Sequence, residues 1–301
     1  MKNFFRVYPL ILVASVLFSC ASNPYASSNR MHKKQSKTLT KELNTFPPNQ
    51  TVLEAALNYG DYWAGTTNFN LRKPNYVILH HTAQDSTEVT LNTFTLPRTQ
   101  VSAHYVIGKD GKIFHMLNDY YRAWHGGIGK WGNDTDLNST SLGIELDNNG
   151  FEPFSEMQIE SLIQLLTVLK EKYNIPTANF IGHSDIAPSR KVDPNIFFPW
   201  KKLADEGFGL WYDESVLLED ELEELKPKDS LDPKEITLNP GVFTEKRPDP
   251  KLALRIIGYD TSDMDAAIKA FKLHYIQKEE IDANLSEQDL KILYNLYKKY
   301  M

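Results

Sequence analysis

Residues 142–173, LGIELDNNGFEPFSEMQIESLIQLLTVLKEKY, decide the fold class. A short apolar run, Leu142 to Leu146, ends in turn residues. Ser155-Glu156-Met157-Gln158 then forms a capping-box pattern, and the apolar residues that follow it at helical spacing mark an amphipathic helix.

 The apolar stripe of that helix is therefore Ile159, Leu162, Ile163, Leu166, Leu169 and Tyr173. Asn179 to Gly182 (NFIG) is a second short strand behind it. A strand, a long helix and another strand is the repeating unit of α/β proteins.

Working outward, Tyr76 to His81 (YVILHH), Val101 to Gly108 (VSAHYVIG) and Ile113 to Met116 are further short runs bounded by turn residues, and Asp110-Gly111 is a hairpin signal. The expected fold is α/β, a mixed central β-sheet with flanking helices. Beyond Trp211 the composition changes: Asp213 to Glu224 holds seven acidic residues and no basic one, and prolines recur at 227, 233, 240, 248 and 250. That stretch reads as a solvated linker. Two helical patterns follow, Ile268/Phe271/Tyr275 and, behind a Ser286 cap, Leu290/Leu293/Tyr294/Tyr297, which predict a small C-terminal helical bundle.

At the other end, Lys2 and Arg6 precede an apolar run, Val7 to Phe18, that is too short to span a bilayer core and reads as a signal peptide. Leu17-Phe18-Ser19-Cys20-Ala21 resembles the bacterial lipobox, which makes Cys20 the expected lipidation site and membrane anchor. Ala21 is not the aspartate associated with inner-membrane retention, so the expected address is the outer membrane, facing the periplasm. Ala21 to Gln50 is rich in Ser, Asn, Lys and Thr and reads as a flexible tether. The expected organisation is a signal peptide over 1–19, a tether over 20–50, an α/β domain over 51–212, an acidic and Pro-rich linker over 213–250 and a helical module over 251–301.

Composition excludes several classes. With 41% hydrophobic and 24% charged residues in 301, the chain can bury a core and is too polar for an integral membrane bundle. Without Lys2 and Arg6 the balance is 31 basic to 39 acidic residues, which argues against nucleic acid as a partner. Cys20 is the single cysteine, so neither an internal disulfide nor a cysteine zinc cluster can form, and any metal site must use His and carboxylate.

Chemistry concentrates in the α/β domain. His80 and His81 end an apolar strand; His183, Lys191 and Asp193 share one loop after another; Glu145 is a lone carboxylate inside LGIEL. Two histidines and a carboxylate make a catalytic type of zinc set, with one position open for water. A nearby carboxylate could take the proton of that water and a lysine could stabilise an oxyanion. His80, His183, Asp193, Glu145 and Lys191 supply each role once.

The stretches VILHHTA, VSAHYVIGKDGKI, RAWHGG, SLGIELDNNG and GHSDIAPSRKVDPNIFFPW, in that order over Tyr76 to Trp200, resemble the zinc-dependent N-acetylmuramoyl-L-alanine amidases of the AmpD and peptidoglycan-recognition-protein superfamily. The resemblance implies that His80, rather than His81, joins His183 and Asp193 as zinc ligands. It also implies that Glu145 is the catalytic acid/base, that Lys191 stabilises the oxyanion, and that His104, Trp124 and His125 line the substrate cleft. Asp147 stands where relatives often carry a second glutamate. The lipoprotein signal and a C-terminal module similar to the common peptidoglycan-binding domain resemble the outer-membrane lipoprotein amidases of Gram-negative bacteria. The implied activity is hydrolysis of the amide between N-acetylmuramic acid and L-alanine in peptidoglycan or its muropeptides; the sequence does not set the oligomeric state, for which a monomer is the simplest expectation. The alternative is a non-catalytic peptidoglycan-binding receptor, which in this superfamily lacks part of the metal set. On this reading the C-terminal module raises local substrate concentration without touching the chemistry, and a chain ending near Trp211 keeps its activity on small muropeptides.

Overall fold

A computed structural model describes residues 23–44, 68, 70–71, 73–217, 247–278 and 280–301. The signal peptide, Cys20, the first residues of the α/β domain and most of the acidic linker lie outside the described residues. The chain divides into two compact units, Met1–Gly65 and Thr66–Met301. In the first, α1 spans Ala26–Leu43 and buries no residue. The stretch read as a tether is thus helical over these residues. Arg, Met, Lys, Gln, Leu and Glu dominate the segment and all favour helix, so the backbone coils although there is no apolar face to bury.

The second unit holds a five-stranded sheet in the order β3-β2-β4-β1-β5. Its strands are β1 (Tyr76–His81), β2 (Tyr105–Ile107), β3 (Ile113–His115), β4 (Ser141–Leu146) and β5 (Phe180–Gly182). The pairs β2/β4, β4/β1 and β1/β5 are parallel and β2/β3 is antiparallel, as a mixed sheet requires. The hairpin closes at Asp110-Gly111, where Gly111 takes φ +80° with its amide on the Gly108 carbonyl at 2.9 Å. The run from Val101 yields only three strand residues. Ser102 is drawn instead into a backbone hydrogen bond to Trp124.

Because side chains alternate along a strand, each face of the sheet carries its own core. Val77, Leu79, Leu142, Ile144, Leu146 and Phe180 face α4 (Glu156–Tyr173), whose Ile159, Leu162, Leu165, Leu166 and Leu169 are buried against them. The Ser155 hydroxyl caps that helix by accepting from the Gln158 amide at 3.2 Å. The reciprocal half of the capping box is missing, since the Gln158 side chain donates to the Ile107 and Asp147 carbonyls at 2.9 and 3.1 Å and pins α4 to the ends of β2 and β4.

On the opposite face, Ile78 and Ile181 join a second core with Trp131, Leu137 and Ile186. The C-terminal helices complete that core. They are α7 (Pro250–Ile257), α8 (Met264–Tyr275) and α9 (Glu287–Tyr300), which contribute Leu254, Ile257, Phe271, Tyr275, Leu293 and Leu296. Short helices α2 (Thr87–Thr95), α3 (Leu137–Thr140), α5 (His183–Ile186) and α6 (Trp200–Asp205) connect the strands and carry the chain toward the linker. The expected bundle is present. It shares a core with the sheet. Its few apolar positions are too few to close a core alone, and the sheet supplies the rest.

Candidate metal and catalytic site

The site lies at the C-terminal ends of the parallel strands, the place where open α/β sheets present side chains to a crevice. Parallel pairing sets His80 of β1 level with Glu145 of β4. β5 ends at Gly182, and His183 follows at the start of α5. The loop after α5 returns through Asp193, whose carbonyl accepts the Ser184 amide at 2.8 Å. Three buried ligand atoms converge as a result. His80 Nδ1 is 2.9 Å from His183 Nδ1, and each lies 3.1 Å from Asp193 Oδ2. This is the His80, His183 and Asp193 set expected from the sequence, and His81 is not part of it.

Hydrogen bonding fixes which nitrogen each ring presents. The Ser141 hydroxyl donates to the Leu137 carbonyl, so its oxygen can only accept from His125 Nε2–H, 3.2 Å away. Burial, then the charges of His80 and His104, push His125 well below the usual imidazole range, so it is neutral and its Nδ1 is bare. That nitrogen accepts from His80 Nε2–H at 3.0 Å. Burial and then repulsion from His183 lower His80 to about 4. It too is neutral, with a bare Nδ1. The Nε2–H of His183 is donated to the Gly126 carbonyl at 3.1 Å. Two nitrogen lone pairs and a carboxylate oxygen therefore face one another, an arrangement that repels itself until a cation sits among them. The donor set fits a zinc-like ion with one coordination position open.

The segment RAWHGG supports both metal-facing rings, His80 through the His125 side chain and His183 through the Gly126 carbonyl. The buried Asn138 holds this segment, its Oδ1 accepting the His125 and Gly126 amides at 3.1 and 2.8 Å. The His125 ring lies so close to β4 that a Cβ at Gly143 would come within 2.4 Å of it. Only glycine fits there.

Glu145 is buried, and its Oε2 has no hydrogen-bond partner. Burial, with a further push from Asp193 against an opposing pull from Lys191, raises its carboxyl to about 8. Lys191 is half-buried in the same loop as Asp193, and its charge reaches Glu145 and His80. Asp147 is buried and accepts from the Thr87 hydroxyl at 2.5 Å, which makes it a brace between β4 and α2.

The three expected cleft residues sit in different surroundings. His104 is fully buried; its Nδ1 accepts the Gly143 amide at 3.1 Å and its Nε2 donates to the Tyr121 carbonyl at 2.9 Å. Both nitrogens are thus committed to backbone and none is left for a ligand. His125 is engaged by Ser141 and His80 and holds a metal-facing ring. Trp124 alone remains exposed, at 50%. An alternation-based reading could have found this, because adjacent residues in an extended segment point opposite ways.

A mixed sheet that gathers two imidazoles, two carboxylates and a lysine at its strand ends defines a metallohydrolase type of centre. The sequence profile of the N-acetylmuramoyl-L-alanine amidase family matches residues 70–196. N-acetylmuramoyl-L-alanine amidase AmiD of Escherichia coli is 39% identical over 154 residues, covering 46% of this chain and 54% of the relative. The 1,6-anhydro-N-acetylmuramyl-L-alanine amidase AmpD of Haemophilus influenzae is 36% identical over 104 residues, covering 34% of this chain and 56% of the relative. The matched part thus spans about half the length of these curated relatives. Among solved structures, AmiD of E. coli in complex with anhydro-N-acetylmuramic acid-L-Ala-D-gamma-Glu-L-Lys superposes with a TM-score of 0.62 at 28% identity, over 78% of this chain and 93% of that one. AmpDh3 of Pseudomonas aeruginosa with anhydromuramic pentapeptide gives 0.63 at 29%, over 81% and 98%.

Proposed function

We propose that this protein is a zinc-dependent amidase that hydrolyses the bond between the lactyl group of N-acetylmuramic acid and L-alanine in peptidoglycan or its fragments. The observation that carries the reading is the convergence of His80 Nδ1, His183 Nδ1 and Asp193 Oδ2 within 3.1 Å, beside a buried Glu145 oxygen with no partner. The muropeptide ligands of the AmiD and AmpDh3 complexes supply the substrate class.

In this mechanism His80, His183 and Asp193 hold the ion. Zinc, when bound, supplies Lewis-acid activation of water and of the scissile carbonyl. Glu145 takes the proton of the attacking water at its free oxygen and delivers it to the departing alanine nitrogen. Burial gives that carboxylate the strong proton affinity a general base needs. The Lys191 ammonium stands by to balance the oxyanion as the carbonyl becomes tetrahedral. Exposed Trp124 offers a flat apolar surface to the sugar or the stem peptide.

Purified protein is expected to carry about one zinc per chain. His81→Ala should keep it, since His81 is outside the ligand group. His125→Leu breaks the bond that orients His80 and should weaken zinc binding by about 10-fold or more in competition with a chelator. If His125 acted on substrate instead, KM would rise and zinc affinity would stay unchanged.

The address follows from the N-terminal sequence. We infer a lipoprotein whose acylated Cys20 anchors it to the outer membrane, facing the periplasm. No helix among the described residues is long and apolar enough to cross a membrane. Cys20→Ala is expected to move the protein from the membrane fraction to the soluble fraction with turnover of small muropeptides intact. Retention of this variant on membranes would exclude the acyl anchor.

A further inference from the structure

We infer that the C-terminal helices are part of the metal centre's framework, and that His274 is a positioning residue acting on His183 through Asp185. The inference rests on the reading of His80, His183 and Asp193 as the metal ligands. Asp185 is fully buried two residues after His183. Its carboxylate takes three hydrogen bonds at 2.7 Å each: the Gly182 amide and His274 Nδ1–H on Oδ2, and the Tyr259 hydroxyl on Oδ1. Two of these donors come from the C-terminal region, more than seventy residues further along the chain. Without them, a buried carboxylate next to a metal ligand would lose most of its partners.

Two other metal-site loops are held from the same side. Gln277 Nε2 donates to the Ile196 and Phe198 carbonyls at 3.0 and 2.6 Å, just beyond Asp193. Gly258 gives its carbonyl to the Gly132 amide at 2.7 Å, where the segment carrying His125 and Gly126 turns back. The His274 ring also stacks on Trp200, with centroids 3.8 Å apart. A bundle that served only to attach the protein to the wall would have no need to fasten the segments carrying His183, Asp193 and Gly126. This arrangement reverses the expectation for a chain ending near Trp211, which should bind zinc poorly.

The test uses full-length protein, with zinc affinity measured by chelator competition and stability by thermal unfolding of the metal-free form. His274→Phe keeps a ring against Trp200 and removes the donor to Asp185. His274→Asn removes the ring but returns an N–H near the Nδ1 position. Leu293→Ala opens a cavity in the bundle core without removing any donor to Asp185. His274→Phe is expected to weaken zinc binding by about 10-fold or more, with His274→Asn regaining most of it. Leu293→Ala should lower the midpoint at least as far and leave zinc affinity unchanged. Should His274→Phe not fold, Tyr259→Phe, which removes one oxygen, carries the same expectation. Wild-type affinity in these variants, or affinity that falls only in step with the midpoint across all of them, would overturn the inference. A wild-type protein that binds no zinc would instead remove the metal reading beneath it.

Discussion

Stripping zinc from the purified protein is expected to abolish muropeptide hydrolysis, and adding zinc back should restore it. Lewis-acid activation is worth several kcal/mol of transition-state stabilisation, on the order of 10³-fold in rate. The same loss is expected for His80→Ala and His183→Ala, with zinc occupancy falling in parallel. Each of these rings already commits its Nε2–H, to His125 and to Gly126, so its only free lone pair faces the ion. No other described group is placed to take over that lone pair. Undiminished turnover in metal-free protein would refute the mechanism.

Glu145→Gln should separate chemistry from stability. Removing the base is expected to cut turnover by about 10² to 10⁴ while zinc stays bound, because Glu145 is not in the ligand group. In the metal-free protein the same change should be stabilising at alkaline pH. The folded carboxyl is raised to about 8, chiefly by burial, so the fold prefers its neutral form. That contribution is fully present below the ordinary carboxylate range and is lost as pH rises through about 8. Stability of Glu145→Gln relative to wild type should therefore climb by roughly 1.4 kcal/mol per pH unit over that window and level off above it. Parallel stability curves from pH 5 to 9 would show that Glu145 is not held in an apolar environment.

Much of this was legible because the relevant signals are local. YVILHH reads as a strand since its β-branched and apolar run ends at a polar pair, and the structure makes it β1 residue for residue. The α4 stripe follows from spacing alone. Leu165 is the exception, buried although it lies outside that stripe, while Ile163 packs partly buried against the same core. What the sequence could not reveal depends on partners far along the chain. His125 and His80 are 45 residues apart, and His274 and Asp185 are 89 apart. Asp185 lies within the motif that carries His183, and its partners Tyr259 and His274 are 74 and 89 residues away. One clue was available: His274 sits beside the apolar stripe Ile268/Phe271/Tyr275, where a ring nitrogen has to find a partner.

The central claim concerns one bond, and mass spectrometry of the products tests it most directly. Zinc-loaded protein is incubated with a muropeptide of defined stem. The account predicts two products, an intact stem peptide with a free L-alanine amino terminus and a muramic acid residue with a free lactyl carboxyl. Fragments cut within the stem, or a tightly bound muropeptide recovered whole, would contradict it.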